Sequence, residues 1–435
     1  MMYKKLFSFI AFFVFLIANS QQSSTINVRT SKAQIDDFMD QRFGLFIHWG
    51  PVSLRGTEIG WSRSHQVNQV EYDSLYKEFN PVLFNADNWV KTAKNAGVKY
   101  LTITAKHHDG FCLWPSATNN YTIQYTPFKK DIVGALAMAC KKQGIKFCVY
   151  FTVLDWHDEN YPIHNNGKDT NGNMVEFVKT MKKQIQEIIS NYHPYMLWFD
   201  GNWEKPWTQE IGIDMYNYIK KLDPKVVINN RLGKGTHKTM SEASVGDYAT
   251  PEQEIGSFNL KDPWESCITI CNQWSWKPND PMKSLKTCIQ TLASTAGGNG
   301  NLLFNIGPMS DGRIEQRQIT RLKEMGDWLK IYGESIYGTR AGPFKPDSIL
   351  ASTRKRNTIY LQLFKMQSGD LKIPVIPGLK ILKANFIKGD AVPFEQTNNN
   401  VVFDLPKKFP NATCSVLAIE FNADVTTVSI LEKLK

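Results

Sequence analysis

Tyr100-Leu-Thr-Ile-Thr-Ala105 is a short run of apolar and β-branched residues that predicts a buried β-strand, and the polar residues His107-His108-Asp109 follow it. Similar runs recur up to about residue 340, and they include Phe43–His48, Lys146–Phe151, Tyr195–Asp200 and Lys225–Asn229. Amphipathic patterns of helical period alternate with the runs or follow them, in Ala86–Ala96, Ile132–Gln143, Asn173–Ser190, Thr208–Leu222, Lys283–Ala296 and Arg313–Tyr332. Strands that alternate with helices predict a parallel sheet, and no glycine-rich phosphate-binding turn follows a strand. We therefore expect a (β/α)8-like barrel over residues 30–340 rather than a doubly wound sheet.

The pattern changes after Gly342, where short alternating strands are separated by turn residues. They are Thr358–Phe364, Leu371–Val375, Val401–Asp404 and Cys414–Phe421. Strands without intervening helices favour antiparallel pairing. We expect a C-terminal antiparallel β-sandwich over residues 345–435.

Residues 1–20 have the features of a secretory signal peptide. Lys4 and Lys5 precede an apolar stretch from Leu6 to Ile17, and small residues end the segment at Ala18-Asn19-Ser20. The apolar stretch is shorter than the roughly 20 residues that cross a bilayer, and we predict no integral membrane segment after cleavage. The segment predicts export: to the periplasm or the medium in a bacterium, or along the secretory or lysosomal route in a eukaryote.

The formal charge of +10 is spread along the 435 residues without a long block of Lys and Arg, so we expect no nucleic-acid partner. The seven cysteines form no Cys-x-x-Cys pair and are odd in number. Cys112, Cys140, Cys148 and Cys288 lie in apolar or helical contexts, which favours buried thiols over disulfides. We expect the core, rather than a disulfide framework, to stabilise the fold.

Polar residues stand at the end of each predicted strand of the barrel. Because the carboxyl ends of parallel strands meet at one face of a barrel, these residues predict an active site there. Glu252 and Glu265 follow in the next long loop, and Trp61, Trp198 and Trp203 flank the polar strand ends. The strand-end residues are His48, His107-His108-Asp109, Asp155-Trp156-His157, Asp200 and Asn229-Asn230-Arg231.

Asp200 ends the apolar strand Tyr195-Met-Leu-Trp-Phe-Asp200 and precedes Gly201. A carboxylate in this position can attack an anomeric carbon and form a glycosyl ester if a second carboxyl group protonates the leaving oxygen. Retaining glycosidases place the two groups roughly 5 Å apart, so the partner comes from another loop above the same barrel. Glu252 and Glu265 are both candidates, and Glu254 is a weaker one.

Five segments together resemble the α-L-fucosidases of glycoside hydrolase family twenty-nine, over residues from about 30 to the end. The resemblance implies a catalytic (β/α)8-like barrel followed by a β-sandwich, and a fucosylated oligosaccharide or glycoconjugate as the substrate. It implies no cofactor and no metal. The segments are Phe43-Gly-Leu-Phe-Ile-His-Trp-Gly50, Lys106-His-His-Asp-Gly-Phe111, Leu197-Trp-Phe-Asp-Gly201, Trp264-Glu-Ser-Cys267 and Asn301-Leu-Leu-Phe-Asn-Ile-Gly-Pro308.

The resemblance also assigns roles to individual residues. Asp200 becomes the nucleophile, and Phe46 and Trp198 face the apolar side of fucose with its methyl group. Trp61 joins the substrate-binding residues because it flanks the site. The residues implied to bind the fucose are His48, His107, His108, Trp198 and Arg231.

Two details remain open at the level of the sequence. Gly246–Glu252 resembles the acid/base loop of the family, whereas Trp264-Glu265 resembles the start of the next strand; Glu252 ranks first as the acid/base and Glu265 is the alternative. Gly60 stands where some members of the family carry a glutamate directly before the tryptophan, here Trp61. This resembles the branch that prefers α-1,3/1,4 linkages in branched Lewis-type glycans.

Two other functions fit the sequence less well. A zinc hydrolase is disfavoured because adjacent histidines on a strand point to opposite faces, and no helical pair of metal ligands is present. A catalytically silent fucosyl-glycan-binding protein would keep the pocket and lose a carboxylate. Asp200 and at least one glutamate are present, which favours the enzyme.

Overall fold

The computed structural model describes residues 25–164, 171–365 and 368–431, so the predicted signal peptide, residues 1–20, lies outside the described residues. No helix within these ranges is long and apolar enough to cross a membrane. The α-helices are Lys32–Gln41 (α1), Gln69–Ser74 (α2), Ala86–Asn95 (α3), Ile132–Gln143 (α4), Met174–Tyr192 (α5), Gln209–Leu222 (α6), Leu285–Gly297 (α7) and Gln316–Tyr332 (α8). Short 3-10 helices span Pro51–Leu54, Leu75–Lys77, Ile123–Tyr125 and Gly333–Ser335.

The strands fall into two groups. The first group is Phe43–Ile47 (β1), Tyr100–Lys106 (β2), Lys146–Thr152 (β3), Met196–Asp200 (β4), Val227–Ile228 (β5), Glu265–Thr269 (β6) and Asn301–Ile306 (β7). The second is Arg340–Ala341 (β8), Leu350–Lys355 (β9), Thr358–Leu363 (β10), Gly369–Pro374 (β11), Ile381–Phe386 (β12), Phe394–Gln396 (β13), Asn400–Leu405 (β14) and Ser415–Phe421 (β15).

The first group forms one parallel sheet in the order β5-β4-β3-β2-β1-β7-β6. All of its strands are buried, apart from the half-buried first residue of β3. Burial on both faces is typical of parallel sheets that are covered by helices. Helices α3 to α7 connect strands of this sheet, and α8 follows its last strand, β7.

An irregular segment, residues 245–252, connects the two edges of this sheet. On one side the amide of Asp247 donates to the carbonyl of Ile228 in β5 at 2.6 Å. On the other side the amides of Glu265 and Cys267 in β6 donate to the carbonyls of Ala249 at 2.9 Å and Pro251 at 3.1 Å. This closing segment takes the place of an eighth strand, and no α-helix lies between β5 and β6.

The barrel interior is filled by side chains that alternate along the strands, as the pleat requires. Met196 and Trp198 of β4 and Cys148 and Tyr150 of β3 belong to one buried cluster inside the barrel. Helix α1 contributes Phe38 to the same cluster, with its ring centroid 4.6 Å from that of Tyr248 in the closing segment. The residues of opposite parity, such as Leu197 and Phe199, belong to the outer core shared with the helices.

The second group of strands forms an antiparallel five-stranded sheet, β12-β15-β10-β9-β8, and an antiparallel three-stranded sheet, β11-β14-β13. Leu361, Phe403 and Ile419, from both sheets, share one buried cluster. The structure therefore confirms the predicted fold class, a (β/α)8-like barrel followed by a β-sandwich. The indole of Trp328 in α8 donates to the carbonyl of Cys414 at 2.9 Å and joins the two parts.

The closing segment depends on a glycine at its start. Gly246 has φ +149°, and a Cβ at this residue would lie 2.1 Å from the carbonyl oxygen of Asn229. We expect Gly246→Ala to lower the free energy of unfolding by about 1–3 kcal/mol, since the backbone at Asn229 has to move away. Urea denaturation followed by tryptophan fluorescence measures the change.

Gly235→Ala is the matched control because a Cβ at this exposed glycine meets nothing within 4 Å. Its free energy of unfolding is expected to stay within about 0.5 kcal/mol of the wild type. Equal losses for both variants would contradict the close approach described here.

Candidate active site

A cavity of about 560 Å³ opens at the carboxyl ends of the barrel strands. The residues that the sequence analysis assigned to catalysis or sugar binding line this cavity, with the exception of Glu265 and the weaker candidate Glu254. Other strand-end residues predicted for the site do not line it, and they are Asp109, Asp155, Trp156, His157, Asn229 and Asn230. Its lining is Phe46, His48, Trp61, His107, His108, Tyr150, Trp198, Asp200, Asn202, Trp203, Arg231, Lys234, Gly235, His237, Glu252, Cys267 and Trp274. The carboxyl ends of β1 to β5 and the closing segment are thus brought together in one concave site.

Asp200, the last residue of β4, is held from three sides. Arg231 Nη1 donates to Asp200 Oδ1 at 2.7 Å, and the hydroxyl of Tyr150 donates to Oδ2 at 3.1 Å. His108 Nε2 lies 3.6 Å from Oδ2. Burial alone would raise the pKa of Asp200, but the Arg231 guanidinium holds it below its ordinary value. Asp200 is therefore an ionised carboxylate in a largely buried site.

Arg231 connects this carboxylate to a second one. Its Nη2 donates to Glu252 Oε2 at 2.8 Å and to the carbonyl of Thr250 at 3.0 Å, while Nε donates to Thr250 Oγ1 at 2.9 Å. The guanidinium carbon lies 4.6 Å from the ring centroid of Trp198. Burial lowers the pKa of Arg231, but Asp200 and Glu252 together raise it above its ordinary value. The guanidinium is thus fully charged and fixed in one orientation.

Glu252 lies at the end of the closing segment, and its side chain is 35% exposed. It therefore faces the open part of the cavity, whereas Asp200 lies deeper. Glu254 forms an ion pair with Lys238 at 2.7 Å and does not line the cavity. The structure thus brings Glu252, and not Glu254, to the site of Asp200.

Glu265, the alternative acid/base candidate from the sequence, does not lie in the cavity. It is fully buried at the start of β6. The indole of Trp198 donates to its Oε1 at 3.1 Å, and the hydroxyl of Tyr100 donates to its Oε2. Because side chains alternate along β6, Cys267 reaches the cavity and Glu265 lies one layer beneath it. Its carboxyl group is therefore separated from the cavity by the layer that contains Trp198 and Cys267.

Three histidines form one wall of the cavity and are buried. His48 Nδ1 lies 2.6 Å from Asn305 Oδ1, and His108 Nδ1 lies 2.8 Å from Thr152 Oγ1. The ring of His107 stacks on that of Tyr150, with centroids 5.3 Å apart. Burial lowers the pKa of His48 to about 3 and that of His108 to about 4, and burial also lowers the pKa of His107 well below its usual value. All three imidazoles are thus neutral at pH 5–8.

The tautomer of His48 follows from its neighbours. The amide nitrogen of Asn305 donates to the carbonyl of Trp274 at 2.7 Å, which leaves Asn305 Oδ1 as an acceptor. His48 Nδ1 therefore carries the proton, and Nε2 is an acceptor for a hydroxyl group.

Aromatic rings cover the remaining walls. Phe46 and Trp198 have ring centroids 5.3 Å apart, and Trp274 lies 6.2 Å from Phe46. Trp61 and Trp203 stack with an interplanar angle of 19°, and they are 46% and 47% exposed. The cavity therefore combines apolar ring surfaces with neutral imidazoles and two carboxylates, a composition suited to a deoxy sugar.

Tyr150 was missed by the sequence analysis. It lies two residues before Thr152, the last residue of β3, so strand alternation points both side chains to the same side. That alternation was the available signal. Asn202, Lys234, His237 and Cys267 were also missed; the first three follow strand ends on irregular loops, where spacing carries little information.

No group of three His, Cys, Asp or Glu side chains within the described ranges is arranged to hold a metal ion. All seven cysteines lie within these ranges, and each is buried with a free thiol. No disulfide therefore contributes to this part of the structure.

The chain was compared with known proteins. Residues 14–334 match the model of the α-L-fucosidase family. An α-L-fucosidase of Branchiostoma floridae is 30% identical over 369 residues, which are 77% of this chain and 80% of the relative. α-L-fucosidase isoenzyme 1 of Paenibacillus thiaminolyticus has a similar structure, with a TM-score of 0.82 and 29% identity over 89% of this chain and 99% of its own.

A second solved structure is a GH29 α-L-fucosidase of Bacteroides thetaiotaomicron, described as a trapped covalent intermediate in complex with 2-fluoro-fucosyl fluoride. It superposes with a TM-score of 0.83 and 28% identity, over 93% of this chain and 99% of its own. The family model covers most of the chain, and the fold agrees with that of solved members. The chain belongs to the α-L-fucosidases of glycoside hydrolase family 29.

Proposed function

We propose that the chain is a retaining exo-α-L-fucosidase that removes terminal α-L-fucosyl residues from glycans, with Asp200 as the nucleophile and Glu252 as the acid/base. The observation that carries the proposal is the shared guanidinium of Arg231. It binds Asp200 at 2.7 Å through one terminal nitrogen and Glu252 at 2.8 Å through the other. Both carboxyl groups are thus held at one cavity, so that one can attack the sugar while the other protonates the leaving oxygen, as a double displacement requires.

In the first step an oxygen of Asp200 attacks the anomeric carbon of fucose. The bond between this carbon and the glycosidic oxygen breaks, and Glu252 gives its proton to the departing oxygen. The product is a fucosyl ester on Asp200, and Glu252 is left as a carboxylate. Tyr150 and Arg231 keep the attacking carboxylate oriented before the bond forms.

In the second step Glu252 takes a proton from a water molecule, and the water oxygen attacks the same anomeric carbon. The ester bond to Asp200 breaks, the carboxylate of Asp200 is restored and Glu252 is protonated again. Two inversions at one carbon leave L-fucose with its original configuration.

The neutral histidines recognise the sugar in this proposal. His48, His107 and His108 offer uncharged donors and acceptors to the fucose hydroxyls, together with Arg231. Phe46, Trp61 and Trp198 cover the apolar face and the C5 methyl group. The Bacteroides relative, which was captured as a covalent intermediate with a fluorinated fucosyl donor, supports the two-step chemistry.

We further propose a preference for α-1,3/1,4-fucosyl linkages in branched glycans of the Lewis type. Gly60 has φ +67°, and a Cβ there would lie 2.9 Å from His107 Nδ1, so this backbone does not accept a glutamate directly before Trp61. Glu58 is turned away from the cavity: its carboxylate accepts from the amides of Trp274 and Ser275, each at 3.0 Å. The half-exposed pair of Trp61 and Trp203 extends the apolar surface beyond the fucose pocket, which suits a branched aglycone.

The leader-like segment, residues 1–20, supports export of the enzyme. We propose that it acts in the periplasm or outside the cell, or along the secretory or lysosomal route in a eukaryote, where it would meet glycans.

Removing the two carboxylates separates their roles. Asp200→Ala is expected to lower kcat/KM by at least about 10⁴-fold on every substrate, since no ester can form. Glu252→Ala should lower it about 10²–10⁴-fold on a glycan, but far less on α-fucosyl fluoride, because fluoride leaves without a proton. Azide should accelerate Glu252→Ala and yield fucosyl azide of retained configuration, which NMR of the products measures.

Glu254→Ala is the matched control, because Glu254 lies two residues further on, is paired with Lys238 and does not line the cavity. Its kcat/KM should equal that of the wild type. Product of inverted configuration from the wild-type enzyme would refute the double displacement. A wild type that binds fucosylated glycans without releasing fucose would support the silent binding protein instead.

The linkage preference is tested by fucose release from a Lewis-type trisaccharide, an α-1,2-fucosyl glycan and an aryl fucoside. We expect the branched trisaccharide to have the highest kcat/KM, because the rim formed by Trp61 and Trp203 can contact its additional sugar. Trp203→Ala should reduce this advantage with little effect on α-fucosyl fluoride. A wild type that prefers the aryl fucoside over the trisaccharide would overturn the assignment to branched glycans.

A further inference from the structure

We propose that Glu265 is a positioning residue for the reaction: through the indole of Trp198 it fixes the guanidinium of Arg231, and thereby the two carboxylates that Arg231 binds. This inference rests on the proposed function, because the positioned groups are the proposed nucleophile and acid/base. Glu265 itself lies beneath the cavity and has no contact with the sugar.

The environment of Glu265 is costly for a carboxyl group. The residue is fully buried inside the barrel, and its described partners are the neutral donors Tyr100, Trp198 and Tyr248. Neighbouring Cys148 and Cys267 are uncharged thiols, because burial raises their pKa well above the usual value. Apolar residues of similar volume commonly replace buried charges without loss of stability. The role that the structure gives to this acid is therefore that of an acceptor for buried donors, Trp198 among them.

Trp198 connects Glu265 to the site above it. Its Nε1 donates to Glu265 Oε1 at 3.1 Å, and this bond sets the rotation of the indole. The guanidinium of Arg231 lies over the same ring at 4.6 Å, and Tyr150 stacks on the ring with centroids 5.5 Å apart. Arg231 and Tyr150 are two of the groups that hold Asp200. A rotated indole would displace both of them.

The connection from Glu265 to the carboxylates begins with the hydrogen bond from Trp198 to Glu265. It continues through the contacts of the Trp198 ring with Arg231 and Tyr150. Burial raises the pKa of Glu265 to about 7, and its carboxyl group has an oxygen that accepts from the indole in both the protonated and the ionised form. A cation over an indole face is attracted by the face of the ring, so this contact depends on the orientation of the indole. The carboxyl group of Glu265 thus acts on Asp200 and Glu252 by fixing the ring of Trp198 rather than by moving a proton.

Glu265→Met tests this inference, since methionine fills a similar volume and accepts no comparable hydrogen bond from Trp198. We expect kcat to fall on the order of 10²-fold, the effect of a misplacement of about 1 Å. The loss should be the same for α-fucosyl fluoride and for a glycan, because both need Asp200 in place. Azide should have no effect. Glu265→Gln, which keeps an oxygen acceptor for the indole, should recover most of the rate.

Three further measurements test whether Glu265 acts through the indole of Trp198. Trp198→Phe removes the donor, and the double variant with Glu265→Met should be no slower than Trp198→Phe alone if both act through one contact. Tyr248→Phe removes a hydroxyl next to the same carboxylate without touching Trp198, and its kcat should equal that of the wild type. Labelling with 2-fluoro-fucosyl fluoride counts the active sites, so kcat is compared per labelled site.

The outcomes separate the alternatives. A rate per labelled site equal to that of the wild type in Glu265→Met would overturn the proposal and leave Glu265 a purely structural residue. A loss confined to the glycan, with rescue by azide, would overturn it by making Glu265 the acid. Losses that multiply in the double variant would refute the path through Trp198. Absence of fucosidase activity in the wild type would refute the proposed function itself, which none of these outcomes does.

Discussion

The site depends on one buried ionic interaction, the guanidinium of Arg231 between the carboxylates of Asp200 and Glu252. Arg231 is 3% exposed and Asp200 is 9% exposed, so neither charge is compensated by bulk water. Removing one partner of such a buried pair commonly costs about 3–5 kcal/mol, because the other charge is left without a partner. The arrangement therefore requires that the strands carrying these residues keep fixed positions. The barrel supplies these fixed positions. Asp200 is the last residue of β4, Arg231 follows β5, and Glu252 ends the closing segment.

The three histidines that form one wall of the cavity are uncharged. Burial keeps His48, His107 and His108 neutral, so they add hydrogen-bonding groups without adding charge. A neutral sugar can then exchange hydrogen bonds with the wall while the ionic network below it stays intact. Because the ionic network and the neutral histidines occupy different parts of the cavity, one small cavity holds a charged nucleophile together with a surface suited to hydroxyl groups and a methyl group.

Much of this arrangement could be predicted from the sequence, for a physical reason. Parallel strands bring their carboxyl ends together, and the polar residues after Ile47, Lys106 and Ile228 therefore had to converge. The same argument could not separate the roles of Glu252 and Glu265, because the sequence places both residues in the long loop after the same predicted strand. The difference arises from the irregular closing segment, which sets Glu252 beside Cys267 and leaves Glu265 one layer lower. Tyr150 was missed because its position inside the barrel depends on the register of β3 rather than on a motif.

The central claim is that Asp200 forms the covalent intermediate, and direct labelling tests it best. The wild-type enzyme is incubated with 2-fluoro-fucosyl fluoride, digested, and its peptides are analysed by tandem mass spectrometry. We expect one fluorofucosyl group per active site, attached to Asp200, since the fluorine slows hydrolysis of the ester more than its formation. A label on another carboxylate, or rapid turnover of the reagent with inversion and no labelled peptide, would contradict the account.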